Sequence, residues 1–232
     1  IAQYQAYLKA YPQDPANDLV LYQLARAHEQ GGDLDTALKV ITQLVSQYPQ
    51  TKHLDEAQFR RGELLFTARQ YPQAEAAYAA VLTSPRLTPY RERALYMQGW
   101  SQFKQARLEP ALESFLAVLD LKLAGHDDTV PLEALPALSR ADRELVDDSF
   151  RVVSLALENL QGAQTIPSFT RTKARQSYEL RLYQQLAVLY LKQDRPKDAA
   201  DTYGAFVARH PLHAQAPLLQ TVVIAIHEKA GF

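Results

Sequence analysis

The most constraining feature of this sequence is a period of 37 residues in its first half. Small residues recur at this spacing in two series, Ala25, Gly62, Gly99 and Ala37, Ala74, Ala111. A fixed period of about 20 to 50 residues indicates stacked supersecondary units, because one unit cannot bury its apolar face alone. The period therefore predicts a solenoid, an architecture that builds extended binding surfaces more often than closed catalytic pockets.

Each unit is predicted to be a pair of amphipathic helices. In the first pair, Gly31-Gly32 ends one helix, Asp33 caps the next, and Tyr48-Pro49 ends the second because proline cannot continue a helix. The predicted repeats span residues 18–51, 55–88, 92–122 and 180–213. Their helices are Asp18–Gln30 and the helix through Ala37, Ile41 and Leu44; Asp55–Ala68 and Tyr71–Leu82; Glu92–Gln105 and Leu108–Leu119; Leu180–Gln193 and Pro196–Arg209.

The middle of the chain, residues 123–175, departs from the period and is predicted to be an irregular unit. Leu121–Leu138 contains Gly125, Pro131 and Pro136 and predicts a long loop, which is either functional or a tolerated insertion. Ser139 and Asp142 form a capping-box pattern that opens a helix over Arg140–Leu160. A long helix is predicted over Thr172–Gln193.

The register also predicts incomplete units at both ends. Residues 1–12 correspond to the end of a repeat whose first helix lies outside the chain, since Tyr11-Pro12 precedes Tyr48-Pro49 by 37 residues. Residues 214–232 are the start of another repeat or a capping helix, with an apolar helix around Leu218–Ile226. We expect the sequence to be an internal fragment of a longer repeat protein.

Two units carry a family pattern. Leu21-x-x-Leu24-Ala25-x-x-His28 and Tyr183-x-x-Leu186-Ala187-x-x-Tyr190, each followed by an alanine and a closing proline, resemble the tetratricopeptide repeat. The resemblance implies an all-α, right-handed superhelical solenoid of helix pairs with one degenerate, insertion-bearing unit. The 37-residue spacing and Tyr48-Pro49-Gln50-Thr51 are similar to repeats of bacterial cell-envelope proteins, among them the periplasmic partner of the Tol–Pal system and the lipoprotein of the outer-membrane β-barrel assembly machine.

Several function classes find no support in the sequence. With 25 Lys and Arg against 26 Asp and Glu, the chain lacks the basic excess of nucleic-acid binders, and no apolar run is long enough to span a membrane. No cysteine, phosphate loop, nucleophile elbow or metalloprotease motif occurs, so we predict no catalytic residues and no cofactor. His210 and His213 are predicted to lie in a solvated turn, and His126-Asp127-Asp128 in an ordinary one, without a metal.

A further group of basic residues, Arg171, Lys173, Arg175 and Arg181, starts the long predicted helix. We predict that it forms a solvated face, with an acidic partner segment as the alternative role.

The resemblance places positions 5, 9 and 12 of each first helix in a concave groove. These positions give the predicted partner-binding residues Tyr22, Arg26, Phe59, Glu63, Phe66, Tyr96, Trp100 and Phe103. Aromatic and arginine side chains dominate binding hot spots, so this groove suits an extended or helical peptide. The alternative is that the rings pack between helices, and Trp100 is the preferred groove residue. The lysine and asparagine that clamp a carboxylate in chaperone-binding repeats are absent, which disfavours a chaperone-tail adaptor.

The sequence thus predicts a non-catalytic scaffold that binds a protein or peptide segment in a bacterial envelope assembly. The predicted compartment is the periplasm, with the cytoplasm as the alternative. Two other functions stay open: a helical portion of a cell-wall-acting enzyme whose catalytic domain lies outside this chain, and a module that self-associates through its repeat ends.

Overall fold

The computed structural model describes residues 1–135 and 138–231, and within these residues every regular element is a helix. The prediction of an all-α fold is confirmed. The α-helices are α1 (Ala2–Ala10), α2 (Asn17–Gln30), α3 (Leu34–Gln47), α4 (Leu54–Thr67), α5 (Tyr71–Leu82), α6 (Arg91–Lys104), α7 (Leu108–Leu123), α8 (Arg140–Glu158), α9 (Ile166–Phe169), α10 (Lys173–Gln176), α11 (Glu179–Lys192), α12 (Pro196–Arg209) and α13 (Ala216–Ala230). No helix among the described residues is long and apolar enough to cross a membrane.

The helix boundaries follow the local signals in the sequence. The Asp33 carboxylate accepts a hydrogen bond from the Thr36 backbone N–H at 3.1 Å and caps α3. At α8 the predicted capping box is present, because Ser139 and Asp142 each accept a hydrogen bond from the other's backbone N–H. Pro196 is the first residue of α12, a position at which a backbone N–H has no acceptor within the helix, so the missing N–H of proline costs nothing.

The turns between paired helices repeat with the sequence. Each contains one residue with a positive φ angle, Gly32, Arg69, Ala106 or Asp194, and Gly231 has a positive φ angle directly after α13. The first three are 37 residues apart, and so are the last two. Gly231 thus ends α13 with the same left-handed turn that ends the first helix of each complete pair. The left-handed conformation is unfavourable for residues that have a Cβ atom, so Arg69 and Ala106 are strained.

The chain forms two compact units, of which the first is Ile1–Ala106 with helices α1 to α6. Its core has small residues where helices approach closely. A Cβ atom on Gly62 of α4 would lie 2.5 Å from the ring of Tyr78 on α5, and that ring is fully buried. Gly62 is one of the periodic small residues, so the spacing marks the contact between the two helices of a pair.

The second unit begins at Arg107 and contains helices α7 to α13. Its boundary falls inside the predicted third repeat, residues 92–122, whose first helix α6 belongs to unit one and whose second helix α7 belongs to unit two. Within unit two, α11 packs on α8 and α12, and α12 packs on α13. That the chain is one continuous solenoid stays a prediction.

The predicted long helix Thr172–Gln193 is wrong, because the chain breaks between α10 and α11. The break places Tyr178 in the core of unit two, fully buried, where its hydroxyl donates to the Asp120 carboxylate at 2.6 Å. Burial and the hydrogen bond to Asp120 raise the pKa of Tyr178 far above its ordinary value.

Of the four basic residues near this break, Arg171 and Lys173 are exposed as predicted, whereas Arg175 and Arg181 are not part of a solvated face. The Arg175 guanidinium contacts Glu113 at 2.7 Å and Asp120 at 3.1 Å. Arg181 is only 8% exposed and donates to the backbone carbonyls of Asp127 and Val130. The two arginines are therefore buried structural groups, because their charges meet acceptors supplied by α7 and the loop that follows it.

The predicted loop Leu121–Leu138 begins later than expected, because α7 continues to Leu123, and it contains a 3₁₀ turn at Leu132–Ala134. Residues 136 and 137 of this predicted loop lie outside the described residues. Three of its leucines, Leu132, Leu135 and Leu138, are buried, and Arg181 donates to the carbonyls of Asp127 and Val130, although most other described residues of the loop are exposed. These contacts make the insertion part of the core of unit two.

Candidate functional site

Two of the predicted groove residues belong to the core of unit one. Tyr22 is 4% exposed and stacks on the His53 ring at 4.9 Å, and Phe59 is 1% exposed and lies 5.3 Å from the Tyr90 ring. The Arg93 guanidinium covers Phe59 at 5.0 Å. Neither ring can reach a partner, so the prediction that they bind one is wrong. Both rings pack between helices, which is the alternative to groove binding given in the sequence analysis.

Charged residues of α2, α4 and α6, the first helices of three successive pairs, form a continuous strip on unit one. Arg60 of α4 pairs with Glu56 at 3.1 Å and reaches Glu29 of α2 at 3.5 Å. Arg93 of α6 pairs with Glu63 of α4 at 3.1 Å. We call Glu29, Glu56, Arg60, Glu63 and Arg93 the charged strip. It ties α2, α4 and α6 together and places the predicted residue Glu63 within one surface.

Two predicted groove residues are partly exposed here, Glu63 within the charged strip and Arg26 near it. The Arg26 guanidinium lies 5.9 Å from the Tyr22 ring centroid. Burial raises the pKa of the Glu63 carboxyl, and the guanidinium of Arg93 partly opposes that rise. The strip therefore holds both charge signs in a partly desolvated setting, where polar contacts to a partner are stronger than in water.

Three predicted aromatic residues form a row along α6. Tyr96 meets Trp100 edge-on at 6.4 Å, and Trp100 meets Phe103 edge-on at 5.8 Å. The Lys104 ammonium lies 5.7 Å from the Trp100 ring. All three rings are partly exposed, unlike Tyr22 and Phe59. We call Tyr96, Trp100 and Phe103 the aromatic row; spacings of three and four residues put them on one helix face.

Phe66, the last predicted groove residue, is partly exposed on α4 and meets the Tyr71 ring edge-on at 5.2 Å. Of the eight predicted residues, six therefore keep some exposed surface. Whether they bind a partner stays a prediction.

The histidines with metal-like spacing face two different carboxylates. His210 lies 3.3 Å from Glu179, and His213 lies 3.3 Å from Asp128. The segment is a turn with Leu212 98% exposed, as predicted, but the two histidine side chains are themselves partly buried against these carboxylates. Burial raises the pKa of the Asp128 carboxyl, and His213 opposes that rise. Among the described residues no cluster of three or more His, Asp or Glu side chains could hold a metal ion.

Comparison with known proteins gives one family. The tetratricopeptide repeat model matches residues 1–52, 22–92, 59–125 and 185–220, which together are more than half of the chain. A search of the curated proteins finds no match.

Several solved structures share the fold at low sequence identity. MamA protein is 11% identical over 85% of this chain and 94% of its own, with a TM-score of 0.52. The MamA RS-1 ArsTM double mutant is 17% identical over 82% and 85%, with a TM-score of 0.51. YrrB, described as a TPR protein with an unusual peptide-binding site, is 13% identical over 94% and 99%, with a TM-score of 0.50. The repeat pattern, the paired helices and the family model agree, and the chain belongs to the tetratricopeptide repeat family.

Proposed function

We propose that this chain is a non-catalytic scaffold that binds a protein segment on the surface shared by α2, α4 and α6 of unit one. The observation that carries the proposal is the aromatic row, in which three large rings stay partly exposed along a single helix face. Rings of this kind supply much contact area for little loss of side-chain entropy on binding.

The charged strip beside the row supplies the polar contacts that orient a partner. Its side chains are already fixed by ion pairs between helices, so a partner meets a preorganised surface and bears most of the ordering cost itself. YrrB, a member of the same fold, is described as having a peptide-binding site, which supports the same class of ligand here.

We place this scaffold in a bacterial envelope assembly, with the periplasm as its compartment and the cytoplasm as the alternative. The support is the 37-residue period and the Tyr48-Pro49-Gln50-Thr51 junction, both similar to envelope repeat proteins.

The test is a pull-down from separated periplasmic and cytosolic extracts, comparing the wild-type chain with Trp100→Ala, with thermal melts of both proteins. We expect Trp100→Ala to lose a partner that the wild type retains from the periplasmic extract, with little change in the melt. Phe59→Ala is the matched core variant, because truncating a buried aromatic residue destabilises a protein by about 3–5 kcal/mol.

If Trp100→Ala retains the partner, or unfolds as Phe59→Ala does, the aromatic row is not the binding surface. A partner recovered only from the cytosolic extract would reject the envelope assignment and leave the scaffold proposal standing.

Self-association is a second candidate function, favoured by exposed apolar side chains of α13. Leu218, Val222 and Ile224 are 60%, 38% and 51% exposed. Exposed apolar surface of this kind is common at protein–protein contacts.

A further inference from the structure

The turns that precede four of the helices share one hydrogen bond. In each turn a side chain accepts from the backbone N–H two residues later, which belongs to the residue directly before the helix. The acceptors are Asp14 before α2, Thr51 before α4, Thr88 before α6 and His213 before α13, at 2.8, 3.2, 3.3 and 3.1 Å. The first three are 37 residues apart, so this bond belongs to the repeat.

His213 differs from the other three acceptors in its response to pH. Histidine is the side chain that ordinarily changes charge between about pH 5 and pH 8, whereas a threonine hydroxyl keeps its state there. Hydrogen bonds from the backbone N–H of Ala16 and from the Tyr7 hydroxyl hold the pKa of Asp14 below its ordinary value, so Asp14 stays charged over the same range. The turn before α13 therefore has a proton-sensitive acceptor at a position where the other turns have an insensitive one.

The two ring nitrogens of His213 make the contacts that the single oxygen of Thr51 makes in its own turn. The Thr51 hydroxyl accepts from the turn N–H and donates to the Asp18 carboxylate at 2.6 Å. His213 Nδ1 accepts from the Gln215 N–H, and His213 Nε2 lies 3.3 Å from Oδ1 of Asp128 in the insertion. An accepting Nδ1 places the proton of the neutral ring on Nε2, which then donates to Asp128.

Charged groups of the insertion and of α11 surround this ring. Asp127 and Asp128 favour its protonated form, and Arg181 offsets part of this effect because it acts on the same two carboxylates. The first turn of α13 has no acidic residue, so the positive end of the helix faces a protonated ring without compensation. The other titratable groups nearby pair with one another, and they are Glu179, Arg209 and His210.

Protonation changes the two contacts of His213 in opposite ways. The second proton goes to Nδ1, which then donates and can no longer accept from Gln215. The contact with Asp128 becomes charge-assisted and is strengthened. We propose that the turn before α13 is a proton-sensitive switch, in which protonated His213 stays on Asp128, the Gln215 N–H loses its acceptor and the first turn of α13 opens.

Opening of this turn would act on the contact between α13 and α12. Ala216 and Leu219 are buried and lie in the first turn of α13, which packs on α12. Because α13 also carries the exposed apolar side chains that favour self-association, protonation would act on that surface. The switch lies in unit two and does not depend on partner binding by α2, α4 and α6.

The test is a titration of the whole chain from about pH 8 to about pH 5, the range in which histidine changes charge. NMR follows the backbone amides and the histidine ring nitrogens. At the start we expect the proton of His213 on Nε2. As the pH falls, the Gln215 amide signal should shift with the same midpoint as the His213 ring, and the heteronuclear NOE of Ala216 and Leu219 should decrease with it.

The other turns provide internal controls in the same spectra. The amides of Ala16 and Tyr90 have Asp14 and Thr88 as acceptors, so their signals should stay in place while that of Gln215 moves.

Three variants separate the groups involved. His213→Asn removes the titration and keeps the turn, since an asparagine oxygen also accepts from the backbone two residues later, and the Gln215 amide should then stay in place. His210→Gln is the matched control, which removes the neighbouring histidine and should leave the shift of Gln215 as in wild type. Asp128→Asn removes a charge that favours the protonated ring, so the midpoints of His213 and Gln215 should move to lower pH together.

Several results would overturn the proposal. A proton on Nδ1 of His213 at the start of the titration would do so in the wild type alone, whether or not a variant folds. So would a Gln215 signal that does not move, that has a different midpoint from the His213 ring, or that still moves in His213→Asn. A constant NOE at Ala216 and Leu219 would show that the turn stays closed. Trp100→Ala is expected to leave the titration unchanged, so this proposal and the scaffold proposal fail separately.

Discussion

Replacing Gly62 by alanine should destabilise unit one, although alanine is the better helix former. Three atoms of the Tyr78 ring lie 2.5 to 2.9 Å from the position of the new Cβ atom. The ring is fully buried and rests 5.8 Å from Phe59, so it has no room to withdraw. Overpacking of this kind costs about 1–3 kcal/mol, and the rigid neighbours place it at about 3. Alanine returns about 1 kcal/mol of helix propensity, which leaves a net loss of about 2 kcal/mol.

Gly204 is the matched control, because it also lies inside a helix but has no atom within 4 Å of its added Cβ position. Gly204→Ala should therefore stabilise the chain by about 0.5–1 kcal/mol. Urea unfolding followed by circular dichroism gives both free energies of unfolding, with unchanged slopes as the check on the unfolding reaction. If Gly62→Ala stabilises the chain as Gly204→Ala does, the close approach of α4 and α5 at this position is refuted.

Three other substitutions test single interactions. Arg69→Gly should stabilise the chain by about 1 kcal/mol in urea unfolding, because it relieves the left-handed φ of 58° in the turn. Tyr178→Phe should lower the free energy of unfolding by about 1–3 kcal/mol, because it leaves the Asp120 carboxylate without its buried donor. Lys122 and Ser139 lower the pKa of Asp142 to about 2, so Asp142 stabilises the fold above its unfolded pKa of about 4 and loses that effect as the pH falls towards 2. Asp142→Asn should therefore be less stable than wild type at pH 7, with a difference that shrinks as the pH falls towards 2, as measured by thermal melts.

The regular repeats could be predicted closely because their signals are local. The predicted helices Tyr71–Leu82 and Pro196–Arg209 have the same bounds as α5 and α12, where a proline in the first turn fixes the start. The period was also set by small residues, of which Gly62 lies at the contact with Tyr78.

The irregular unit could not be predicted, because its conformation depends on contacts between distant residues. The break before α11 is stabilised by Tyr178 reaching Asp120, which lies 58 residues earlier in the sequence. Arg181 is buried by carbonyls from a loop 51 to 54 residues away. The local sequence signals neither of these contacts. From the sequence alone, buried arginines near a helix start could therefore not be distinguished from a solvated basic face.

The candidate surface was predicted only in part, for a related reason. Tyr22, Phe59 and Tyr96 occupy the same position in successive units, yet only Tyr96 keeps exposed surface. What distinguishes them is the cover from other segments, His53 over Tyr22 and Arg93 over Phe59. Register alone predicts that residues share a face of their helices, whereas the neighbours decide which of them stay accessible.

The same register limits how two copies of this chain could stack. Ile224 of α13 stands 37 residues after Ala187, at the position held by a small residue in the complete pairs. Tyr4 of α1 stands two periods, 74 residues, before Tyr78, the ring that needs Gly62 opposite it. A second copy's α1 would therefore bring a tyrosine against an isoleucine, whereas Tyr78 packs against a glycine that has no side chain.

We therefore expect no head-to-tail polymer in the repeat register. In sedimentation equilibrium the mass should level off at one chain of 26.2 kDa, or at two if the α13 faces pair with each other, because a two-fold contact is closed. A mass that keeps rising with concentration and returns to one chain in Tyr4→Ala would show that α1 does stack on α13. The packing of Gly62 against Tyr78 would then be a poor guide to the contacts that α13 can make.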